Sequence, residues 1–199
     1  MNDLIQIIKV LSDEDLKIIN KHIDETCNFK KATVFSGDIK NKAKVDTTIR
    51  SSVSTSLVDG DEATNLLHDR INSALVDYKF KVSKLCQNFT YYPVPGGRGT
   101  KSWRESIQIL EYSGGQEYKF HHDAAQRPQL PEYERKISVI VYLSNGFEGG
   151  GTEFPHATFK PKAGYGLIFP SNWCYPHSGQ SVTKGKKRVA VTWYYVTLS

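Results

Sequence analysis

The sequence lacks the features that define several common classes of protein. None of its apolar stretches approaches the ~20 residues of a transmembrane helix. Its N-terminal segment carries acids where a signal peptide carries positive charge. Its 3 cysteines have no disulfide or metal-site spacing. We therefore expect a cytoplasmic protein with no membrane partner and no disulfide framework.

Carboxylates are missing from the last quarter of the chain. All 21 Asp and Glu residues lie in 1–153, whereas 154–199 holds six basic residues, and the whole chain has a net charge of +5. A basic region of this kind suits an anionic small molecule, an acidic protein or a nucleic acid. A solvated basic edge accounts for the same pattern. The overall composition, 39% hydrophobic and 24% charged, is that of a globular domain.

The first part of the chain has helical periodicity. Ser12 and Asp15 have the spacing of a capping box and precede apolar residues at helical intervals, which predicts a helix over 13–26. The same periodicity predicts a second helix over 63–78. The intervening segment 29–60 is polar and predicts a loop with at most one strand.

From residue 106 onward, short apolar runs alternate with Gly, Pro and Asn. These runs predict strands at 106–112, 116–123, 136–143, 151–154, 157–160, 165–169, 174–182 and 187–197. Short strands separated by turns favour an antiparallel sandwich or barrel over a parallel α/β sheet. We therefore predict a single α+β domain, mainly β, in which a helical and loop region, 1–105, packs on a barrel, 106–199.

His121, Asp123 and His177 form a candidate metal site. Alternate residues of a strand point to the same face, so His121 and Asp123 project together while His122 points away. A histidine from another strand, His177, completes the facial triad of non-haem Fe(II) oxygenases, which leaves coordination positions open. Taken alone, the His-x-Asp pattern is more commonly a structural histidine beside a surface aspartate.

Lys187 adds to the metal hypothesis. It lies ten residues after His177, across a glycine-containing turn, so two adjacent antiparallel strands can bring both side chains into one cavity. Every second residue from Lys187 to Trp193 belongs to the more apolar face of the last strand, which predicts that Lys187 points inward. A buried lysine needs an anionic partner, and a dicarboxylate supplies one. Lys186 and Arg188 are expected outside or at the rim.

Together, these motifs resemble the 2-oxoglutarate- and Fe(II)-dependent oxygenases, and specifically their prolyl 4-hydroxylase branch. The resemblance runs from Ile107 to Tyr195 and is carried by Tyr112-x5-Tyr118-x2-His121-x-Asp123, Tyr142-Leu-Ser, Glu148-Gly-Gly-Gly-Thr152-Glu-Phe-Pro155 and His177-x4-Val182-x2-Gly185-x-Lys187. Arg50-Ser51-Ser52 resembles part of the family's leading region. Ser181 and Arg188 depart from the family pattern, which often has proline and an aromatic residue there.

The resemblance implies a double-stranded β-helix, of jelly-roll or cupin type, and a role for each matching residue. His121, Asp123 and His177 would bind Fe(II). Lys187 would pair with the distal carboxylate of 2-oxoglutarate, with Tyr112, Tyr142 and Thr152 nearby. Tyr118, Arg135 and Trp193 would line the peptide site.

The implied activity is hydroxylation of prolyl residues in a peptide or protein. It would consume O2 and 2-oxoglutarate, release succinate and CO2, and use ascorbate as reductant. Segments 29–60 and 124–131 are candidate substrate lids.

Other functions stay open. The same chemistry can act on a free metabolite or a nucleic acid, although the last strand lacks the arginine-rich motif of nucleic-acid demethylating relatives. A non-catalytic metal-binding jelly roll is a rival from another class. An iron-dependent halogenase would typically lack the carboxylate that Asp123 provides. The sequence predicts no oligomeric state.

Overall fold

A computed structural model of the chain describes residues 2–35, 43–85, 93–96, 99–124 and 134–198. A short 3-10 helix (Asn2–Leu4) precedes two α-helices, α1 (Asp13–Thr26) and α2 (Glu62–Ser83). The strands before the barrel are β1 (Gln6–Lys9), β2 (Lys30–Lys31), β3 (Val34–Phe35), β4 (Ala43–Lys44), β5 (Val53–Ser56) and β6 (Thr100–Arg104). The remaining strands are β7 (Gln108–Tyr112), β8 (Tyr118–His121), β9 (Arg135–Tyr142), β10 (Glu148–Gly149), β11 (Thr152–Phe154), β12 (Ala157–Phe159), β13 (Tyr165–Pro170), β14 (His177–Gly179), β15 (Val182–Lys184) and β16 (Lys187–Leu198).

Two antiparallel sheets form the body of the fold. The major sheet has the order β1-β13-β9-β16-β7-β5-β2, and β6 also pairs with β16. The minor sheet has the order β12-β11-β14-β8. Strand β16 is central because it pairs with β7, β9 and β6. This arrangement agrees with the predicted jelly roll.

Both faces of the major sheet are buried. One face packs against the helices, and its core includes Ile19, Ile23, Leu67, Ile71, Ile109, Val141, Ala190 and Tyr194. The opposite face packs toward the minor sheet, with Leu110, Phe154, Leu167, Phe169, Val189 and Val191. Each fully buried side chain of this size contributes about 1.5–3 kcal/mol, so the two cores fix the sheet firmly between the helices and the site described below.

Helix α1 begins as the sequence predicts. The Ser12 hydroxyl accepts a hydrogen bond from the Asp15 amide at 3.1 Å, and the Ser12 amide donates to the Asp15 carboxylate at 2.9 Å. The same carboxylate accepts two hydrogen bonds from Arg70 of α2, each at 3.1 Å. The capping box therefore also ties the two helices together.

Several predicted boundaries differ from the structure. Helix α2 continues to Ser83 because Val82, one turn after Tyr78, extends its buried stripe. The run 174–182 is divided between β14 and the first residue of β15, with a break at 180–181, and β10 was not predicted. The segment 29–60 contains four short strands rather than at most one, and its residues 36–42 lie outside the described ranges.

The predicted division at residue 105 differs from the hydrogen bonding of the major sheet. Strand β1 pairs with β13, and β5 pairs with β7, so the first part of the chain supplies strands to the barrel as well as helices packed on it. These pairings join residues that are far apart in sequence, and local periodicity does not predict such pairings. Neither described helix combines the length and apolar character that membrane crossing requires.

Candidate active site

Two strands of the minor sheet place three candidate ligands together. His121 ends β8 and lies directly opposite His177, the first residue of β14. The Asp123 carboxylate lies 3.6 Å from the Nε2 atom of each histidine. One ligand atom from each of the three residues lies within 4.8 Å of the others. The strand register therefore produces the predicted grouping, while His122 is exposed and points away.

The two imidazoles are oriented to bind a metal through Nε2. The Nδ1 atom of His121 donates to the Lys119 carbonyl at 2.8 Å, and that of His177 donates to the Tyr175 carbonyl at 3.2 Å. Each ring therefore carries its proton on Nδ1 and leaves the Nε2 lone pair free. Burial, helped by His177, lowers the pKa of His121 to about 4, so this ligand is neutral at pH 7.

Asp123 is buried and fully ionised. Burial acts to raise its pKa, but His177, His121, Trp193 and Ser138 outweigh this effect and hold the pKa at about 2. The Ser138 hydroxyl donates to Oδ2 of the carboxylate at 2.7 Å. Two imidazole nitrogens and one carboxylate suit a divalent transition metal such as Fe(II).

Lys187 is a buried cation in the same cleft. Its side chain lies on β16, and the residue is 3% exposed. Its Nζ atom donates to the Gly150 carbonyl at 2.6 Å, and no described carboxylate lies within ion-pair distance of it. Burial lowers its pKa to about 8. An ammonium group with one neutral acceptor is suited to bind the carboxylate of a ligand.

Two tyrosine rings lie close to this ammonium. Tyr112 and Tyr142 have ring centroids 5.2 and 5.7 Å from the Lys187 Nζ atom. The hydroxyls of Tyr142 and Thr152 are 2.7 Å apart and both buried. Tyr112 and Thr152 line the cleft, whereas Tyr142 reaches it only through Thr152. The predicted co-substrate residues thus lie at one end of the cleft.

Two of the three predicted substrate residues line the cleft next to the candidate ligands. The Tyr118 ring stacks on the His121 ring with centroids 3.6 Å apart, and Trp193 lines the cleft beside them. Arg135 does not line the cleft: its guanidinium lies 3.8 Å from the Trp193 ring centroid and forms two hydrogen bonds with Glu105. Arg135 therefore supports Trp193 from behind.

Arg50 was not predicted as a site residue. It lines the cleft, is 7% exposed, and has its guanidinium carbon 4.8 Å from the Tyr118 ring centroid. Within the described residues, its side chain donates hydrogen bonds to the Ser52 hydroxyl and the Thr33 carbonyl. The sole sequence signal was the resemblance of Arg50-Ser51-Ser52 to a family segment, which says nothing about its position.

Arg188 lies less exposed than expected. Its side chain is 12% exposed and pairs with Glu111 and Asp24, so it joins β16 to β7 and α1. Lys186 remains exposed and also pairs with Glu111. Both lie on the opposite side of β16 from the cleft, which leaves Lys187 as the cation of this basic run that faces the candidate ligands.

One open cleft contains the candidate ligands and Lys187. It has about 540 Å³ of empty space, counted out to its open mouth, and its walls are formed by β7, β8, β9, β11, β14 and β16. The candidate metal-binding side chains and Lys187 line this one cavity. The donor set therefore fits both Fe(II) and 2-oxoglutarate.

Comparisons with known proteins agree with this chemistry. The profile of the 2OG-Fe(II) oxygenase superfamily matches residues 107–195. A putative prolyl 4-hydroxylase of Acanthamoeba polyphaga mimivirus is 36% identical over 107 residues, covering 45% of this chain and 44% of the relative. A probable prolyl 4-hydroxylase of Arabidopsis thaliana is 28% identical over 203 residues, covering 85% of this chain and 61% of the relative. The chain thus spans about half the length of these curated relatives.

Solved structures confirm the predicted fold. A viral collagen prolyl hydroxylase of Paramecium Bursaria Chlorella virus-1, in a 2OG complex, matches with a TM-score of 0.66 and 23% identity, over 96% of this chain and 95% of that one. A Trichoplax adhaerens prolyl hydroxylase, in complex with a hypoxia inducible factor peptide fragment, matches with a TM-score of 0.68 and 14% identity, over 97% of this chain and 84% of that one.

Proposed function

We propose that this chain is a prolyl 4-hydroxylase-like member of the 2OG-Fe(II) oxygenase superfamily and that it hydroxylates prolyl residues of a peptide or protein. The proposal depends on one observation above all. A buried ammonium without a described carboxylate partner, that of Lys187, lies in the same cleft as two imidazoles and a carboxylate arranged for a metal. A structural barrel has no need to bury an unpaired cation beside such a group.

His121, Asp123 and His177 would hold Fe(II), and Lys187 would hold the distal carboxylate of 2-oxoglutarate. When bound, the iron supplies activation of O2 coupled to decarboxylation of 2-oxoglutarate, and ascorbate would restore the reduced metal. The ammonium of Lys187 neutralises one co-substrate charge and fixes the direction in which the molecule enters. Thr152 offers its hydroxyl to the same carboxylate, and Tyr142 holds that hydroxyl in place through the hydrogen bond between the two side chains.

The protein also orients the substrate and excludes water. Trp193 and Tyr118 present aromatic surfaces beside the candidate ligands, which suits the apolar ring of proline. Arg50 lines the cleft, and among the described residues no carboxylate pairs with its guanidinium, for which peptide carbonyl groups are suitable acceptors. Apolar side chains from β7, β9 and β16 keep the rest of the cleft dry, which strengthens the polar contacts within it.

The substrate class separates this proposal from its rivals. Purified protein is incubated with Fe(II), 2-oxoglutarate and ascorbate, and either proline-rich peptides or single-stranded DNA. We expect succinate release to rise with the peptides and mass spectrometry to show the gain of one oxygen on proline. The Asp123→Ala variant, which loses the candidate metal carboxylate, should release no succinate. Oxidation of DNA alone would replace the proline proposal, and inactivity of the metal-loaded protein toward 2-oxoglutarate would favour a non-catalytic module.

A further inference from the structure

Two buried serines lie behind the candidate metal carboxylate. Ser138 lies on β9 and Ser171 directly follows β13, and each is 1% exposed. The Ser138 hydroxyl is 2.7 Å from Oδ2 of Asp123 and 2.8 Å from the Ser171 hydroxyl. Strand β9 and the end of β13 therefore place two linked serine hydroxyls next to the Asp123 carboxylate, which follows β8.

The direction of the two hydrogen bonds follows from the protons available. The ionised Asp123 carboxylate only accepts, so Ser138 donates its single proton to Oδ2. The Ser138 oxygen then has only lone pairs to offer, so Ser171 donates to it. The chain runs from Ser171 through Ser138 to Asp123.

The local sequence gives no packing reason for a serine at this point of β9. Its neighbours on the strand are β-branched and apolar, from Ile137 through Val141, and all are buried or half-buried. A buried hydroxyl is costly unless it is hydrogen-bonded, and here the bond goes to a carboxylate. Asp123 also has a side-chain hydrogen bond with Trp193. The terminal torsion of an aspartate is broad, however, so loss of the Ser138 bond would let the carboxylate sample orientations that turn its oxygens away from the imidazoles.

We propose that Ser138, supported by Ser171, is a positioning residue that locks the Asp123 carboxylate in the orientation needed to bind the metal. The inference rests on the proposed function, because it assumes that Asp123 is a ligand. Hydrogen-bonded groups behind metal ligands typically change metal affinity by about 10–100-fold when they are removed.

The test measures Mn(II) binding by isothermal titration calorimetry to the full chain, without co-substrate. Ser138→Ala should weaken binding by about 10–100-fold, and Ser171→Ala by less. Because Ser171 acts through Ser138, the double variant should bind no more weakly than Ser138→Ala. Ser138→Thr, which keeps the hydroxyl, should retain affinity. Thr64→Val is the matched control, since it removes a buried hydroxyl in α2, remote from the cleft, and should leave binding unchanged.

Circular dichroism establishes that each variant is folded before titration. If Ser138→Ala binds Mn(II) with the same affinity as the Thr64→Val control, the inference is wrong. If the double variant binds Mn(II) more weakly than Ser138→Ala, Ser171 does not act through Ser138. If Ser138→Ala does not fold, undiminished binding by Ser171→Ala overturns the inference. If the wild-type protein itself does not bind Mn(II), the result would instead contradict the metal site, and with it the proposed function.

Discussion

The Nζ atom of Lys187 lies 2.6 Å from the carbonyl oxygen of Gly150. Gly150 has a φ of 66°, and a Cβ atom there would lie 3.0 Å from the Cδ atom of Lys187. A side chain at this position would therefore be strained and would push the lysine away from the turn. The glycine-rich turn before β11 thus has a specific role, which is to let a bare carbonyl group hold the ammonium in the cleft.

Removal of the Lys187 ammonium should chiefly weaken 2-oxoglutarate binding. One charged hydrogen bond in a buried site is worth about 1.5–3 kcal/mol, or about 10- to 150-fold in affinity. We expect Lys187→Ala to raise the KM for 2-oxoglutarate by a factor in this range. Lys184→Ala, which removes an exposed lysine that pairs with Glu148, is the control and should leave the KM unchanged. An unchanged KM in Lys187→Ala would rule out this anchor.

Co-substrate affinity should also fall at alkaline pH. Burial lowers the pKa of Lys187 to about 8. Below this pH the group is already an ammonium, whereas above it the binding of a dicarboxylate must include uptake of a proton. The affinity for 2-oxoglutarate should therefore be constant below pH 8 and weaken above it, approaching about tenfold per pH unit.

Binding of 2-oxoglutarate to the Mn(II)-loaded protein between pH 7 and pH 9 measures this dependence. Lys187→Arg serves as the comparison, because a guanidinium stays protonated throughout this range. Its affinity, whatever the absolute value, should not fall above pH 8. If the affinity of the wild-type protein for 2-oxoglutarate does not change between pH 7 and pH 9, Lys187 is not the partner of the co-substrate carboxylate.

The site residues that were easiest to predict belong to short-range sequence patterns. His121 and Asp123 are two residues apart on one strand, and the alternation along β16 indicated the inward face of Lys187. Nothing local joins β14 to β8, so the third candidate ligand, His177, was proposed from the donor set of a facial triad and from its spacing to Lys187, ten residues later. Helix α1 was predicted at its observed bounds for a similar reason, since its capping box and its apolar stripe are short-range signals.

The parts that escaped prediction depend on distant pairings. Arg50 reaches the cleft because its backbone forms a bridge with Tyr118 across 68 residues of sequence. Strand β1 pairs with the edge of the major sheet at β13. Its four residues are too few for a periodic pattern to predict a strand. Ser138 is an ordinary strand serine until Asp123 is placed beside it. The second candidate lid, 124–131, lies beyond the described residues after Ala124.

Arg50 should contribute to substrate binding rather than to the metal chemistry. We expect Arg50→Gln to raise the KM for a proline-rich peptide by about tenfold or more, the value of a charge-assisted hydrogen bond, with a smaller change in kcat. Release of succinate without peptide should stay at the wild-type rate. Arg70→Gln, which removes a half-exposed arginine between the helices, is the control. If Arg50→Gln leaves the KM for the peptide unchanged, Arg50 does not bind the substrate and has a structural role only.

Thr64 offers a test of the helical layer that is independent of the active site. Its Oγ1 atom is a buried side-chain oxygen for which the described part of the chain provides no hydrogen-bond partner. Valine has nearly the same shape and a similar helix propensity, so Thr64→Val removes the unsatisfied hydroxyl without leaving a cavity. We expect the free energy of unfolding to rise by about 1 kcal/mol, which corresponds to about 2–4 °C in Tm for a chain of this size.

The control variant is Thr26→Val. The hydroxyl that it loses is exposed and donates to the His22 carbonyl at 2.8 Å, so this variant should show no such gain. Thermal unfolding followed by circular dichroism compares the two, and a lower Tm for Thr64→Val would mean that the hydroxyl has a partner in solution.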